Sequence, residues 1–178
     1  MTRIETSRLT LREAHVSDAA FVLELLNDPG WLAHIGDPGV RDLAGARDYI
    51  AERLSGSYRA HGFGLYIVEL KVAGLPVGLC GLVRRHGLDD PDIGFALLER
   101  HCGRGYGLEA ARATMDHARN VLGIRRVLAI TSRGNRASQK LLESLGLKFE
   151  RMARLPGQPD EVMLYVPGPS GGVAPDGP

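Results

Sequence analysis

The chain has 178 residues, a length that favours one domain, and its 44% hydrophobic and 24% charged residues are typical of a globular protein. A formal net charge of +1 and the lack of a long apolar run indicate neither a nucleic-acid partner nor a membrane. The opening residues lack a signal-peptide core and the two cysteines have no metal-ligand spacing, so we expect a cytoplasmic, metal-free protein with free thiols.

The first 60 residues contain one strand pattern followed by two helix patterns. Residues 8–13 alternate between apolar and polar side chains, which predicts a strand. Ser17 is the predicted N-cap of a first helix, which Pro29 and Gly30 are expected to end. Apolar residues at helical spacing predict a second helix from about Asp42 to Ala60.

The middle of the chain predicts three strands, a glycine-rich loop and a helix. Residues 63–70 and 77–85 flank a turn and predict a hairpin, and the mostly apolar residues 92–98 predict a strand in the centre of a sheet. The loop HCGRGYG follows. The next helix is expected over about residues 108–122, where one apolar stripe is formed by Leu108, Ala111, Met115, Ala118 and Leu122.

The last third of the chain predicts a strand at residues 125–131, a short helix, and closing strands at 147–150 and 161–166. Ala137, Leu141 and Leu145 share the apolar face of that helix, and Gly146 ends it. The order β-α-α-β-β-β-α-β-α-β-β indicates a mixed α/β sheet with helices on both faces, in one domain over residues 1–166. Residues 167–178 hold four prolines and four glycines and predict a disordered tail.

The glycine cluster, set between a strand and a helix, favours an anion site suited to phosphate. No Walker A string occurs in the chain. Gly105, Gly107 and Ala110 satisfy the dinucleotide pattern G-x-G-x-x-A, but six residues separate the pattern from its strand and no acidic residue follows about twenty positions on. Both of these nucleotide-binding classes are therefore rejected.

The loop from Cys102 to Gly107 resembles the pyrophosphate loop of the GCN5-related N-acetyltransferases, whose pattern is Q/R-x-x-G-x-G/A, with Cys102 departing from it. The segment NRASQKLLESLGLKFE is similar to that family's N-x-x-[AS] followed by L-G-[LF]. The stretches TSRLTLRE, PVGLCGL and DIGF look like the branch that includes the ribosomal-protein alanine N-acetyltransferases. The resemblance covers about residues 8 to 166.

This resemblance implies the acyl-CoA N-acyltransferase fold, with a mostly antiparallel sheet splayed between its fourth and fifth predicted strands, residues 92–98 and 125–131. It implies acetyl-CoA as the cofactor. The residues expected to bind it are the main chain of Phe95, Ala96 and Leu97, the loop residues Gly103, Arg104, Gly105, Tyr106 and Gly107, and the side chains of Asn135 and Ser138.

The implied reaction is acetyl transfer to a primary amine by direct attack in a ternary complex. Many relatives have a tyrosine seven residues after the asparagine as the acid for the leaving thiolate; that position is Leu142 here, so Ser138 or a water has to assist. Cys102 has no histidine partner that would indicate covalent catalysis.

Asp92 is the candidate general base, acting through a bridging water, because an attacking amine must be neutral. The same residue could equally be a structural carboxylate paired with Arg85. His34 and His101 are further candidate bases, and Trp31, Arg84 and Arg85 are candidates for lining the acceptor site.

A coenzyme-A-binding module without turnover would carry the same cofactor signatures and stays open as an alternative. The acceptor also stays open between a protein N-terminus, an antibiotic amine, a polyamine and a free amino acid. The protein could be a monomer or a homodimer joined through its closing strands.

Overall fold

The computed structural model describes residues 2–169, whose strands form two antiparallel sheets. The first sheet has five strands in chain order: β1 (Arg3–Glu5), β2 (Leu9–Arg12), β3 (Leu65–Leu70), β4 (Leu75–Val83) and β5 (Asp92–Leu97). The second sheet has the order β6-β8-β7, with β6 (Ala129–Thr131), β7 (Leu147–Ala153) and β8 (Val162–Pro167).

The two sheets meet through one parallel bridge, between Asp92 and Leu128. There the Ile93 N–H donates to Leu128 O at 2.9 Å and the Leu128 N–H donates to Pro91 O at 2.9 Å. Within residues 2–169, β5 and β6 form no further ladder beyond this bridge. The predicted mixed, mostly antiparallel sheet, splayed at this point, is confirmed.

Helices cover both faces of the first sheet, as predicted. One face carries α1 (Ala19–Leu26), α2 (Pro29–His34), α3 (Leu43–Tyr49) and α4 (Ser55–His61), which pack on side chains such as Ile67 and Leu79. The other face carries α5 (Tyr106–Asn120), packed on Tyr66, Val68 and Cys80, while α6 (Arg136–Ser144) follows β6. Within the described range, no helix combines the length and the apolar character that crossing a bilayer requires.

The N-terminal part differs from its prediction in three details. The three-residue strand β1 was not predicted. His15, and not Ser17, caps the 3₁₀ turn at Val16–Asp18, since its ring accepts from the Ser17 N–H while the Asp18 carboxylate accepts from the His15 N–H. Pro29 begins α2 instead of ending α1, because a proline suits the first helical position and Asp28 caps that helix at Gly30 N.

The predicted helix from Asp42 to Ala60 has the expected extent but not one geometry. Five of its residues, Ile50–Leu54, form a π-helical turn between α3 and α4. Such a wider turn occurs in proteins mostly as an insertion within an α-helix and often at functional sites. The 3.6-residue spacing of apolar side chains does not reveal it.

The predicted central position of residues 92–98 is wrong, because β5 is the last strand of the first sheet and Gly94 to Leu97 are only half-buried. The predicted apolar face of α6 is also displaced. Its buried residues are Ser138, Gln139 and Leu142, whereas Ala137 is exposed and Leu141 is half-buried. The amphipathic pattern defined the helix but not which side met the core.

The chain is ordered slightly past the predicted domain end. Strand β8 includes Pro167, and the Gly168 N–H donates to Gly146 O at 3.0 Å. The rest of the predicted tail, residues 170–178, lies outside the described residues. Both cysteines are free thiols, as expected, with Cys80 buried and Cys102 exposed.

Truncating the core strand β3 should destabilise the protein strongly. Ile67 is 0% exposed under the α1–α4 layer, so Ile67→Ala should lower the free energy of unfolding by about 2–5 kcal/mol. Val72, 100% exposed in the following turn, is the control, and Val72→Ala should change it by less than about 0.5 kcal/mol. Urea denaturation measures both, and equal losses would contradict this packing.

Candidate active site

A cleft of about 1240 Å³ opens where β5 and β6 diverge. Its walls are β5, the glycine loop with the start of α5, the start of α6, and the α2–α4 layer. The predicted site residues that line it are Asp92, Phe95, Ala96, Leu97, Gly103, Gly105, Gly107, Asn135 and Ser138. Segments more than 40 positions apart in the chain therefore share one cavity.

Strand β5 offers unpaired main-chain groups to this cleft. Along an antiparallel strand, successive residues direct their N–H and C=O groups to alternate sides. The Leu98 N–H donates to Val77 O in β4, whereas the Ile93 N–H donates to the opposite side, to Leu128 O. Phe95 and Leu97 lie two and four residues after Ile93, so their N–H and C=O groups point to the same side, toward the cleft. Ala96 lies two residues before Leu98, so its N–H and C=O groups face β4. The side chains of Phe95 and Leu97 pack against the core.

The glycine loop presents the bare N-terminus of α5 to the same cleft. Gly103 and Gly105 have φ of 73° and 79°, in the left-handed region that side chains disfavour. Gly105 is the N-cap and supplies no side-chain cap, so the first N–H groups of this 15-residue helix are not capped. Together with the positive end of the helix dipole, these N–H groups are suited to bind an anion.

Asn135 and Ser138 lie at the start of α6, which also lines the cleft. The Asn135 side-chain carbonyl accepts from the Ser138 N–H at 3.0 Å, so it caps the helix. Its amide nitrogen is left for another acceptor. Ser138 is 8% exposed and lines the cleft, whereas Leu142 is fully buried in the core. The position where relatives have a tyrosine therefore holds a packing residue.

Arg104 and Tyr106, which were also predicted to bind the cofactor, are not among the residues that line the cleft. The Arg104 carbonyl accepts from Arg8 Nη1 at 3.0 Å, and the Arg8 guanidinium lies 4.7 Å from the centre of the Tyr106 ring. Tyr106 packs on the core, and its ring supports Arg8. The arginine beside the glycine loop on this side is thus Arg8, about a hundred residues earlier in the chain.

Glu109, one turn into α5, holds Arg8 and the residues before it. Its Oε2 accepts from Arg8 Nε at 2.6 Å, and its Oε1 accepts from Thr6 Oγ1 at 2.6 Å and from the Arg8 N–H at 2.9 Å. Burial raises the pKa of Glu109, but these hydrogen bonds outweigh it and lower the pKa to about 2. We call Thr6, Ser7, Arg8 and Glu109 the N-terminal clamp. No spacing in the sequence indicated this contact.

The other end of the cleft is lined by polar side chains, only some of which were predicted from the sequence. The π-helical turn places Glu52 and Arg53 there, both exposed, next to the half-buried Tyr49. Burial raises the pKa of Tyr49, and the nearby charges of Arg53 and Arg85 oppose that shift. The predicted acceptor-site candidates Trp31, Arg84 and Arg85 also line the cleft, as does His34, one of the candidate bases.

Asp92 lies at the meeting point of these walls. Its side chain is 1% exposed, and its two oxygens lie 3.0 and 2.9 Å from Arg85 Nε. Burial raises the pKa of Asp92, and the charge of Arg85 opposes the shift without cancelling it. The carboxylate is therefore buried, paired with a cation and still part of the cleft wall.

The remaining titratable candidates are less well placed. His101 lies outside the cleft lining, and its ring nitrogens have no hydrogen-bond partner within residues 2–169. Burial lowers the pKa of His101. Cys102 lines the cleft, with Sγ 3.7 Å from Leu98 O, and burial raises the pKa of its thiol. Within residues 2–169, no group of three or more side chains could hold a metal ion.

Residues 8–148 match the family model described as an acetyltransferase (GNAT) domain. The chain therefore belongs to the GNAT family of acetyltransferases, and its domain is that of an acyltransferase. The predicted family is confirmed.

Similar proteins share most of the chain. The uncharacterized protein YkkB of Bacillus subtilis (strain 168) is 30% identical over 156 residues, which are 86% of this chain and 89% of that protein. An acetyltransferase crystal structure from Agrobacterium tumefaciens str. C58 is 26% identical with a TM-score of 0.79, covering 93% of this chain and 94% of its own. The ribosomal L7/L12 α-N-protein acetyltransferase RimL in complex with coenzyme A has a TM-score of 0.78 at 20% identity, covering 93% and 97%.

Removing the charge of Glu109 should cost stability in a pH-dependent way. Because the pKa of Glu109 falls from its ordinary 4.5 to about 2 on folding, the carboxylate stabilises the fold above pH 4.5 and loses this effect as the pH falls toward 2. Glu109→Gln should lower the free energy of unfolding by about 1–3 kcal/mol at pH 7.

Urea denaturation of both proteins between pH 7 and pH 3 measures the difference, which should shrink below pH 4.5. Glu150→Gln removes an exposed carboxylate whose ion pair with Arg151 is 3.7 Å long, so it should have little effect. A difference that stays constant down to pH 3 would contradict the role given to the Glu109 carboxylate.

Proposed function

We propose that this protein transfers an acetyl group from acetyl-CoA to a primary amine by direct attack in a ternary complex. The observation that supports this most is that the free main-chain groups of Phe95 and Leu97 and the uncapped start of α5 face one cleft. These groups suit an extended ligand with amides at one end and a diphosphate at the other.

The fit to coenzyme A rests on the donors and acceptors of this chain. The N–H and C=O groups of Phe95 and Leu97 would pair with the pantetheine amides as a further strand does. The N–H groups from Gly105 onward would hold the diphosphate, and Asn135 and Ser138 would face the pantetheine arm. When bound, acetyl-CoA would supply an acetyl group activated as a thioester.

A main-chain N–H of β5 would also act during transfer. The carbonyl oxygen of an attacked thioester gains negative charge, and a donor already fixed in a strand stabilises that charge without reorganising. The hydroxyl of Ser138 is the side-chain donor that we assign to the departing sulfur.

We assign Asp92 to deprotonation of the amine, through a water. It lies three residues before Phe95, about 10 Å along the strand, so direct contact with the reacting atoms is not expected. Its raised pKa brings the carboxyl closer to the pKa of an amine, which favours proton acceptance. The pairing with Arg85 also supports the alternative, purely structural role.

A coenzyme-A-binding module without turnover is the second candidate. The observation that favours it is that Leu142, which is buried, occupies the position where many relatives are expected to have a tyrosine acid. A cytoplasmic location stays a prediction, which the two free thiols support. The acceptor end carries both signs of charge and so favours none of the four predicted classes of amine. The monomeric or homodimeric state stays a prediction.

Separate assays of binding and of turnover distinguish the two candidate functions. We expect acetyl-CoA to raise the midpoint of thermal unfolding and, with amines present, to release free thiol, which a thiol reagent detects. The panel should contain a peptide with a free N-terminus, a polyamine, an aminoglycoside and a free amino acid. Stabilisation without thiol release on any amine would favour the module, and no stabilisation would reject both.

Gly105→Val tests the loop in the same assay. It forces a side chain to φ of 79° with Arg8 Nη2 only 3.3 Å from the new Cβ, so it should raise the Kd for coenzyme A about tenfold or more. Gly123→Ala is the control, since Gly123 has φ of 70°, open space around it and no place in the cleft lining. Its Kd should match that of the wild type.

Replacing Asp92 should change the pH profile as well as the rate. Asp92→Asn should lower kcat by about 100-fold or more and remove the acid limb of kcat/KM, because the base is gone. Since burial raises the pKa of Asp92, the wild-type limb should lie above the ordinary carboxyl value of 3.8. Stopped assays from pH 5 to pH 9 measure this.

Arg85→Ala provides the matched comparison. It leaves Asp92 buried without its cation, so it should move the acid limb to higher pH instead of removing it. If both variants lose stability and keep the wild-type pH profile, Asp92 is structural.

A further inference from the structure

The peptide between Arg104 and Gly105 has a defined orientation. Every peptide bond in residues 2–169 is trans, so the C=O of one residue and the N–H of the next point in opposite directions. Arg8 Nη1 donates to the Arg104 C=O at 3.0 Å. Arg8 lines a groove behind the loop, together with Thr6 and Glu109, and not the main cleft. The bond therefore turns the Gly105 N–H toward the main cleft.

The guanidinium of Arg8 has two further partners besides the Arg104 carbonyl. Nε donates to Glu109 Oε2 at 2.6 Å, and the group lies over the Tyr106 ring. The Glu109 carboxylate accepts in addition from Thr6 and Ser7. Glu109 and Tyr106 thus position the guanidinium whose Nη1 donates to Arg104 O.

The charge of Arg8 is largely neutralised by Glu109, since the two side chains form an ion pair. Arg8 therefore affects a ligand in the main cleft mainly by orienting the Arg104–Gly105 peptide, and less through its electrostatic potential. A lysine would keep the charge but could not donate to Glu109 and to the Arg104 C=O in this fixed geometry. Replacing Arg8 by lysine therefore distinguishes a role in orienting the loop from simple electrostatic attraction of an anion.

We infer that Arg8 is a positioning residue for diphosphate binding: it holds the Arg104–Gly105 peptide so that its N–H, with those at the start of α5, meets the diphosphate of coenzyme A. The inference rests on the proposed function. It predicts that the clamp matters to ligands that carry the diphosphate and not to those that end at pantetheine.

The test compares two acetyl donors in three variants. Arg8→Ala and Arg8→Lys should each raise the calorimetric Kd for coenzyme A about tenfold and lower kcat/KM for acetyl-CoA to match. With S-acetylpantetheine, which lacks the diphosphate and nucleotide, kcat/KM should stay within about twofold of the wild type. Arg3→Ala, which removes an exposed arginine paired with Glu5, should leave both donors unchanged.

Turnover of S-acetylpantetheine also shows that the variants are folded. Equal losses with both donors would mean that the clamp only stabilises the fold, and wild-type affinity in Arg8→Lys would mean that charge alone suffices; either result overturns the inference. If the wild-type protein itself does not bind coenzyme A, the proposed function fails first. If the wild type binds coenzyme A and Arg8→Ala binds it with the same Kd, the positioning role of Arg8 is rejected while the proposed function stands.

Discussion

The site depends on two strands that begin to pair and then part. Asp92 and Leu128 make one parallel bridge, after which β5 and β6 separate. A strand left without a neighbour carries N–H and C=O groups that need a partner, and buried main-chain groups without one are costly. In this protein those groups, at Phe95 and Leu97, are half-buried on the wall of a cleft. The same break in the sheet creates both the cavity and its hydrogen-bonding groups.

Helix α5, which follows β5 in the chain, has no side-chain cap from its N-cap residue, Gly105. Most helices cap their first N–H groups with a serine, threonine or aspartate side chain, and α6 does so with Asn135. Helix α5 instead begins after two glycines of left-handed conformation, and its N-cap residue supplies no acceptor. The two helix starts that line the cleft thus differ in chemistry. The start of α5 leaves main-chain N–H groups that suit an anion, whereas the start of α6 is capped by the Asn135 side-chain carbonyl.

The end of the cleft lined by Glu52 and Arg53 has a different origin. The π-helical turn at Ile50–Leu54 buries Ile50 and Leu54 in the α1–α4 layer and leaves Glu52 and Arg53 on the cleft wall. Opposite them, Arg85 is tied to the buried Asp92 at the beginning of β5. This pairing links that end of the cleft to the point where the strands diverge. It also gives the buried carboxylate both a structural partner and a place in the cleft.

Local patterns in the sequence determined the elements, the glycine loop and the cap at Asn135, because these depend on side chains within a few positions of each other. They also carried the family resemblance. They did not determine that β5 ends its sheet, that α6 buries Ser138 and Gln139 in place of Ala137, or that a π turn interrupts the second helix. Those outcomes, like the contact of Arg8 with Glu109 across 101 positions, arise when distant segments pack together. No spacing within one segment records them, so only the tertiary structure decided them.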